Sequence, residues 1–262
     1  YDEGGEVAVT YENLEFNHKQ FVKVYKQAFV LYEGKDGERL AISINKFSPR
    51  EIIYRAYANN TRDSVLADWL AYAKDHNFYR GKKIDGDCSF LQLSDVSWKD
   101  IILSEATQKV IKGNVGEMFE MRDVLAANGI PLKGGVILAG PPGTGKTVLC
   151  KILAKEVDAT VIYAMPDHLK NISDIKRICE MAKDLAPCML IIEDIDYIAE
   201  DRDHSPNKGA VIELMNYLDG VQEFKDVVTL ATTNAVDILE GAIKNRPGRF
   251  DRVISVPNPN NE

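Results

Sequence analysis

The sequence predicts an α/β fold, a parallel sheet sandwiched between helices over residues 96–262, preceded by a small α+β domain over residues 1–95. Three observations predict it. Beyond residue 130, short apolar runs alternate with stretches of helical spacing, and parallel strands require such crossovers. One of these junctions is a glycine-rich loop, Gly140-Pro141-Pro142-Gly143-Thr144-Gly145-Lys146-Thr147, set between an apolar run and a helical one. The texture before about residue 95 differs, with long strand-like runs separated by turn formers.

Taken in order, Phe21 to Val30 and Leu40 to Phe47 carry strand-like apolar content around Glu33-Gly34-Lys35-Asp36-Gly37, which predicts a β-hairpin. From Ser64 to Tyr79, Val65, Leu66, Trp69, Leu70 and Ala73 recur at three and four, which predicts an amphipathic helix ending near Gly81. A short strand over Cys88 to Leu93 is expected to close this module. It contains no catalytic constellation, so a substrate- or adaptor-docking role is assigned by exclusion. Ser94 to Asp100 reads as the junction.

Helical patterning then runs from Glu105 through Ala127 and is stopped by Asn128-Gly129-Ile130-Pro131. Next come a strand at Gly135 to Ala139, the glycine-rich loop, and a helix from Val148 to Glu156. Further strands are predicted at Thr160 to Ala164, Met189 to Ile192, Val227 to Thr232 and Val253 to Val256. Helices are predicted at Ile172 to Leu185 and Ala210 to Leu218. Ligands of such folds sit at the carboxyl ends of the strands.

Composition bounds the class. Hydrophobic content of 45% and charged content of 27% suit a soluble globular protein, and a formal net charge of −8 argues against a general nucleic-acid or anionic-membrane surface. No apolar run approaches a membrane span, and Tyr-Asp-Glu-Gly-Gly-Glu at the start has no signal-peptide pattern. A reducing, cytoplasmic compartment is expected; the chain begins without Met, which leaves room for a targeting segment outside it. Cys88, Cys150, Cys179 and Cys188 lack metal-ligand spacing and read as reduced thiols, and the four scattered histidines form no zinc motif.

Four stretches carry chemistry. Gly140 to Thr147 fits the G-x-x-x-x-G-K-[ST] phosphate-binding loop, in which backbone N–H groups and the helix N-terminus wrap phosphate. Lys146 would reach the β- and γ-phosphates, and the Thr147 hydroxyl would ligate Mg2+. Met189-Leu190-Ile191-Ile192 ends in Glu193-Asp194-Ile195-Asp196, an apolar strand delivering carboxylates where a cation needs oxygen and a water needs a base or orienting group. Ala231-Thr232-Thr233-Asn234 ends another strand. Asn234 there can hydrogen-bond the attacking water or the γ-phosphate, although an Asn at a strand end is by itself an ordinary turn residue. Finally, Asn245-Arg246-Pro247-Gly248-Arg249-Phe250-Asp251-Arg252 sets two guanidinium groups three apart around a Pro-Gly turn. Such groups suit a developing phosphate charge; a surface salt-bridge cluster is the alternative.

In this order, GPPGTGKT, a hydrophobic strand ending in acids, ATTN and NRPGRFDR resemble the AAA family of the AAA+ ATPases, over residues from about Trp98 to Glu262. The resemblance implies the large α/β P-loop NTPase subdomain, ATP and Mg2+ as ligands, self-assembly into a ring, usually hexameric, and ATP hydrolysis used to remodel or translocate a protein client. It makes Glu193 the metal ligand beside Thr147, Asp194 the catalytic carboxylate and Asn234 the sensor. Arg246 and Arg249 become arginine fingers reaching the neighbouring subunit's ATP. Asp100 and Ile102 fall where members hold adenine by backbone. Within the family, residues 164–169 and 193–196 most resemble the branch of the mitochondrial Rieske-protein translocase and its bacterial relatives.

Three features depart from the family pattern. The acids stand in the order Glu193-Asp194, the reverse of the usual one, so the catalytic carboxylate is one methylene shorter. Met165 to Asn171 holds neither the aromatic residue nor the glycine of threading members. The helical lid that follows the large subdomain is expected to be absent from this chain. Two other functions compete with the remodelling machine: a slowly hydrolysing, ATP-switched assembly scaffold, and a DNA-processing ATPase, which the acidic balance disfavours.

Overall fold

A computed structural model describes residues 10–17, 20–33, 39–48, 51–59, 71–72, 76–93, 95–200, 225–234 and 252–258. The chain divides into two compact units, Tyr1–Phe78 with Asp87–Gln92, and Tyr79–Gly86 with Leu93–Glu262.

The first unit is built on four strands, β1 Thr10–Asn17, β2 Gln20–Glu33, β3 Arg39–Ser48 and β4 Glu51–Asn59, which form an antiparallel meander in the order β1-β2-β3-β4. The predicted hairpin is β2–β3, with Glu33 opposite Arg39 at its closed end. Strands β1 and β4 extend it on both sides. Ala71 and Tyr72 are helical, and the remainder of the helix expected from Ser64 lies outside the described residues except for turns from His76 onward. The strand expected over Cys88 to Leu93 does not form. Cys88 adopts a left-handed φ of 64°, which breaks an extended run, and Phe90 alone makes a bridge.

The second unit begins with a strand placed before the expected boundary at residue 95. This is β5, Lys83–Asp85, which pairs parallel with β7 (Thr160–Ala164). The ladder continues through Gly86, whose N–H donates to the Tyr163 carbonyl over 3.1 Å. From Glu105 to Ala127 the chain is nearly continuously helical: α1 Glu105–Ile111, a π turn at Lys112–Gly116, α2 Glu117–Glu120 and α3 Arg122–Ala127. Ser104 caps its start by accepting from the Thr107 N–H, and Ile111, Val115 and Phe119 form its buried stripe at intervals of four.

Four further strands are β6 Lys133–Ala139, β8 Cys188–Ile192, β9 Val227–Thr233 and β10 Arg252–Ser255. With β5 and β7 they form one sheet in the order β10-β6-β9-β8-β7-β5, all pairs parallel. Every residue of β7, β8 and β9 is buried, so both faces of the sheet centre are covered, as expected of a parallel sheet. Covering helices are α4 Lys146–Glu156, α5 Ile172–Asp184 and the shorter α6 Ile195–Glu200. Helix α5 is capped by Asn171, which accepts from the Asp174 N–H, and turns Ile175, Ile178, Cys179 and Ala182 inward. Each of its two buried isoleucines contributes on the order of 1.5–3 kcal/mol.

The predicted α/β architecture is thus present, with boundaries within a few residues of those expected. The helix expected over Ala210 to Leu218 lies outside the described residues. No disulfide joins the four cysteines, and Cys150, Cys179 and Cys188 are buried. Burial pushes the Cys179 thiol up to about 12 and also raises those of Cys150 and Cys188. Among the described residues no helix is long and apolar enough to cross a membrane.

Candidate active site

The strand order brings the sequence motifs together. Strand β6 leads into the glycine-rich loop, β9 lies beside it, and β8 lies beside β9. Ala139 pairs with Thr233, and Ile192 with Ala231, so Gly140, Asn234 and Glu193 all emerge from the same carboxyl edge.

The loop closes tightly. The Gly140 N–H donates to the Thr233 carbonyl, and a Cβ on Gly140 would lie 2.1 Å from the Val256 carbonyl oxygen, so no side chain fits. Gly145 opens α4 in the left-handed conformation, φ 90°, which L side chains rarely adopt. Pro141, Pro142 and Gly143 are exposed, whereas Thr144 is buried and its hydroxyl donates to the Pro141 carbonyl over 3.0 Å. Lys146, only 5% exposed, donates Nζ hydrogens to the carbonyls of Gly140 (2.7 Å) and Pro141 (2.8 Å). An ammonium has three donors, so it braces the loop and keeps one for a phosphate oxygen. Burial lowers the pKa of this ammonium, opposed by the carboxylates of Asp194 and Asp196. Thr147 is exposed in the first turn of α4, where backbone N–H groups lack helical partners.

Asp100 accepts from both the backbone N–H and the hydroxyl of Ser97, at 2.7 and 2.9 Å, and closes a short 3-10 turn. Ile101 is 8% exposed, with Cγ2 4.0 Å from where a Gly145 Cβ would stand, and Ile102 is 74% exposed. The two candidate residues therefore flank a side chain packed on the phosphate loop. Trp98 Nε1, donating to Glu156, and Lys155, paired with Asp95, fasten this segment to α4.

The acids beyond β8 are held individually. Glu193 is tied by backbone to β7 (N–H to the Ala164 carbonyl, 2.9 Å) and by side chain to Tyr163, whose hydroxyl donates to Oε1 over 2.7 Å. Asp194 has a left-handed φ of 46°, an uncommon conformation for a residue other than glycine. Its N–H donates to Thr232 Oγ1 (2.9 Å), and its Oδ1 accepts from Asn234 Nδ2 (3.2 Å). Asp196, 8% exposed, accepts from the Asn234 N–H. Burial, together with the neighbouring Asp196 and Glu193, raises the pKa of Asp194, offset in part by Lys146 and Asn234. Burial and nearby anions push the Tyr163 phenol far above its ordinary value, so it remains a donor.

Lys146, Glu193, Asp194 and Asn234 thus share one edge, as the motifs predict, while Arg246 and Arg249 lie outside the described residues. Sequence reasoning missed Tyr163 and Thr232, which hold the acids in place. Tyr163 offered only an aromatic in an apolar strand; Thr232 offered a threonine near a strand end.

The donor set suits a nucleotide phosphate with a hard divalent cation: backbone N–H groups, one ammonium, a hydroxyl at Thr147 and a carboxylate at Glu193. Among the described residues no group of three or more His, Cys, Asp or Glu stands together as a metal cage. Mg2+ characteristically takes one or two protein oxygens and completes its shell with phosphate and water.

The family described as ATPases associated with various cellular activities (AAA) matches residues 136–258. This segment belongs to the AAA family. The match takes in the phosphate loop, the acid-bearing end of β8, the end of β9 at Asn234, and β10. Proteasome-activating nucleotidases of Archaeoglobus fulgidus and Methanothermobacter thermautotrophicus are each 36% identical to the chain, over 88% and 89% of it and 59% and 58% of their own lengths. A cell division cycle protein 48 homologue of Archaeoglobus fulgidus is 32% identical over 64% of the chain and 24% of its own length. The chain spans about half the length of the curated relatives it matches. The narrower likeness to the Rieske-protein translocase branch is not confirmed by these relatives.

Proposed function

We propose that this chain is an ATPase that hydrolyses Mg-ATP to ADP and phosphate and uses the cycle to remodel protein clients as a ring of identical subunits, six by resemblance. The observation that carries the reading is the convergence of the ends of β6, β9 and β8, with Asn234 hydrogen-bonded to Asp194 beside the buried Lys146.

In this reading Lys146 and the first-turn N–H groups of α4 neutralise the β- and γ-phosphates, and the backbone at Asp100 and Ile102 holds adenine. Thr147 and Glu193 would hold Mg2+, which when bound would supply positive charge to offset that of the phosphates. Asp194 orients and deprotonates the attacking water. Asn234 fixes both that carboxylate and the water. Arg246 and Arg249 reach the γ-phosphate of the next subunit, a contribution on the order of 10³–10⁵ in rate. The N-terminal unit, which the two 36% relatives also match in part, docks the client. The reversed order Glu193-Asp194 favours one second reading, a slow ATP-switched scaffold, because the shorter carboxylate reaches less far.

Steady-state ATP turnover, measured against protein concentration with and without an unfolded polypeptide, tests the proposal. The machine gives turnover that rises with concentration and is stimulated by the polypeptide. Saturable ATP binding with negligible, unstimulated turnover selects the scaffold. Mixing Arg249→Ala with Asp194→Asn subunits should restore turnover that neither has alone. Continued inactivity despite co-assembly removes the trans role of Arg249.

A further inference from the structure

Glu193 differs from every other acid of the site in being gripped by the strand on its far side from the phosphate loop. Strand β7 holds it at two points: its N–H donates to the Ala164 carbonyl, and the Tyr163 hydroxyl donates to its Oε1 over 2.7 Å. The register explains how an aromatic two residues earlier in the ladder reaches it. Tyr163 pairs with Ile191, and Glu193, two residues on, lies on the same face. Tyr163 is itself 4% exposed and packed within a fully buried strand, so its hydroxyl is a fixed point.

We infer that Tyr163 is a positioning residue for the cation: by pinning Oε1 it immobilises the long Glu193 side chain and leaves Oε2 as the single metal-facing oxygen. A glutamate has one more torsion to freeze than an aspartate, and a carboxylate free to rotate is a poor ligand for a cation that demands regular geometry. The tyrosine supplies what the longer side chain lacks. Hydrogen-bonded partners of ligating carboxylates commonly change metal affinity by about 10- to 100-fold when removed. The inference rests on the proposed metal role of Glu193.

The test compares, on the intact protein, the affinity for a slowly hydrolysed fluorescent ATP analogue in Mg2+ and in EDTA. Tyr163→Phe should leave the EDTA affinity within error of wild type, lower the melting temperature by no more than a few degrees for the lost hydrogen bond, and lower the gain from Mg2+ by about 10-fold. Glu193→Asp, whose carboxylate falls one methylene short of the phenol, should make the gain insensitive to Tyr163→Phe, a non-additive cycle. An unchanged gain in Tyr163→Phe, with Glu193→Gln reducing it, overturns the inference and leaves Glu193 as ligand. Equal losses from Tyr163→Phe in the wild-type and Glu193→Asp backgrounds also overturn it, since the hydroxyl would then act elsewhere. An unchanged gain in Glu193→Gln removes the metal role itself.

Discussion

The carboxyl ends of β6 and β8 open on one edge of the same sheet, separated by β9, and are built in opposite ways. After β6 the chain shapes a cradle mainly from backbone: Gly140 pressed against Val256, Gly145 in a left-handed turn, and Lys146 bracing two loop carbonyls. After β8 the chain offers side chains, and each acid is held from another strand, Glu193 by Tyr163 of β7 and Asp194 by Thr232 of β9 and by Asn234 just past it. The cradle is mainly local: apart from the Thr233 and Val256 carbonyls that Gly140 meets, its determinants lie within eight consecutive residues. The acid cluster is assembled from partners some 30 to 40 positions apart in sequence. A local device tolerates little change in any member, whereas a distributed one can be weakened in steps.

That contrast predicts a ranking. Lys146→Ala should have the largest effect, lowering ATP affinity by roughly 100-fold or more, because charge-assisted bonds to phosphate are lost along with the brace of the loop. Calorimetry of ATP binding measures it, and unchanged affinity would remove the cradle from the account. Gly140→Ala should follow, destabilising the fold by about 1–3 kcal/mol, since the new Cβ meets backbone rather than a movable side chain. In thermal melts this is a loss of several degrees.

Thr232→Val should act on the distributed side. It leaves the Asp194 N–H without its acceptor at a residue that already holds a left-handed φ, a cost of about 1–3 kcal/mol. Turnover should fall by about 10-fold or more while ATP affinity stays near wild type. Equal losses in binding and turnover would mean that the two ends are not separable.

The smallest effect belongs to Asp194→Asn on stability. The pKa of Asp194 is raised in the folded protein, so the folded state disfavours its charge, and above the unfolded value that charge reduces stability. An isosteric neutral side chain should therefore raise the melting temperature of the nucleotide-free protein. Solvent screening at this partly buried position keeps the rise to about 2 °C. A lower melting temperature would show that the charge is needed for the Asn234 contact.

The same contrast explains what the sequence discloses. The cradle is legible because glycine spacing encodes backbone shape directly, and β6, β7, β8 and β9 are legible because buried parallel strands are continuously apolar. Lys83–Asp85 escapes notice because a three-residue edge strand buries one apolar side chain, Ile84. Cys88 to Leu93 misleads because its apolar residues say nothing of the left-handed φ at Cys88. Tyr163 and Thr232 are invisible as site residues because their roles depend on which strands are neighbours, and strand order is not a local property.

The central claim is that the cradle binds and the acid cluster turns over. Asp194→Asn tests it most directly when ATP affinity and single-turnover hydrolysis are measured on the same preparation. The account predicts ATP affinity within about threefold of wild type and hydrolysis reduced by at least about 100-fold, as loss of a positioned base requires. Hydrolysis at the wild-type rate, with binding intact, would contradict it and transfer the chemistry to Glu193 or Asp196.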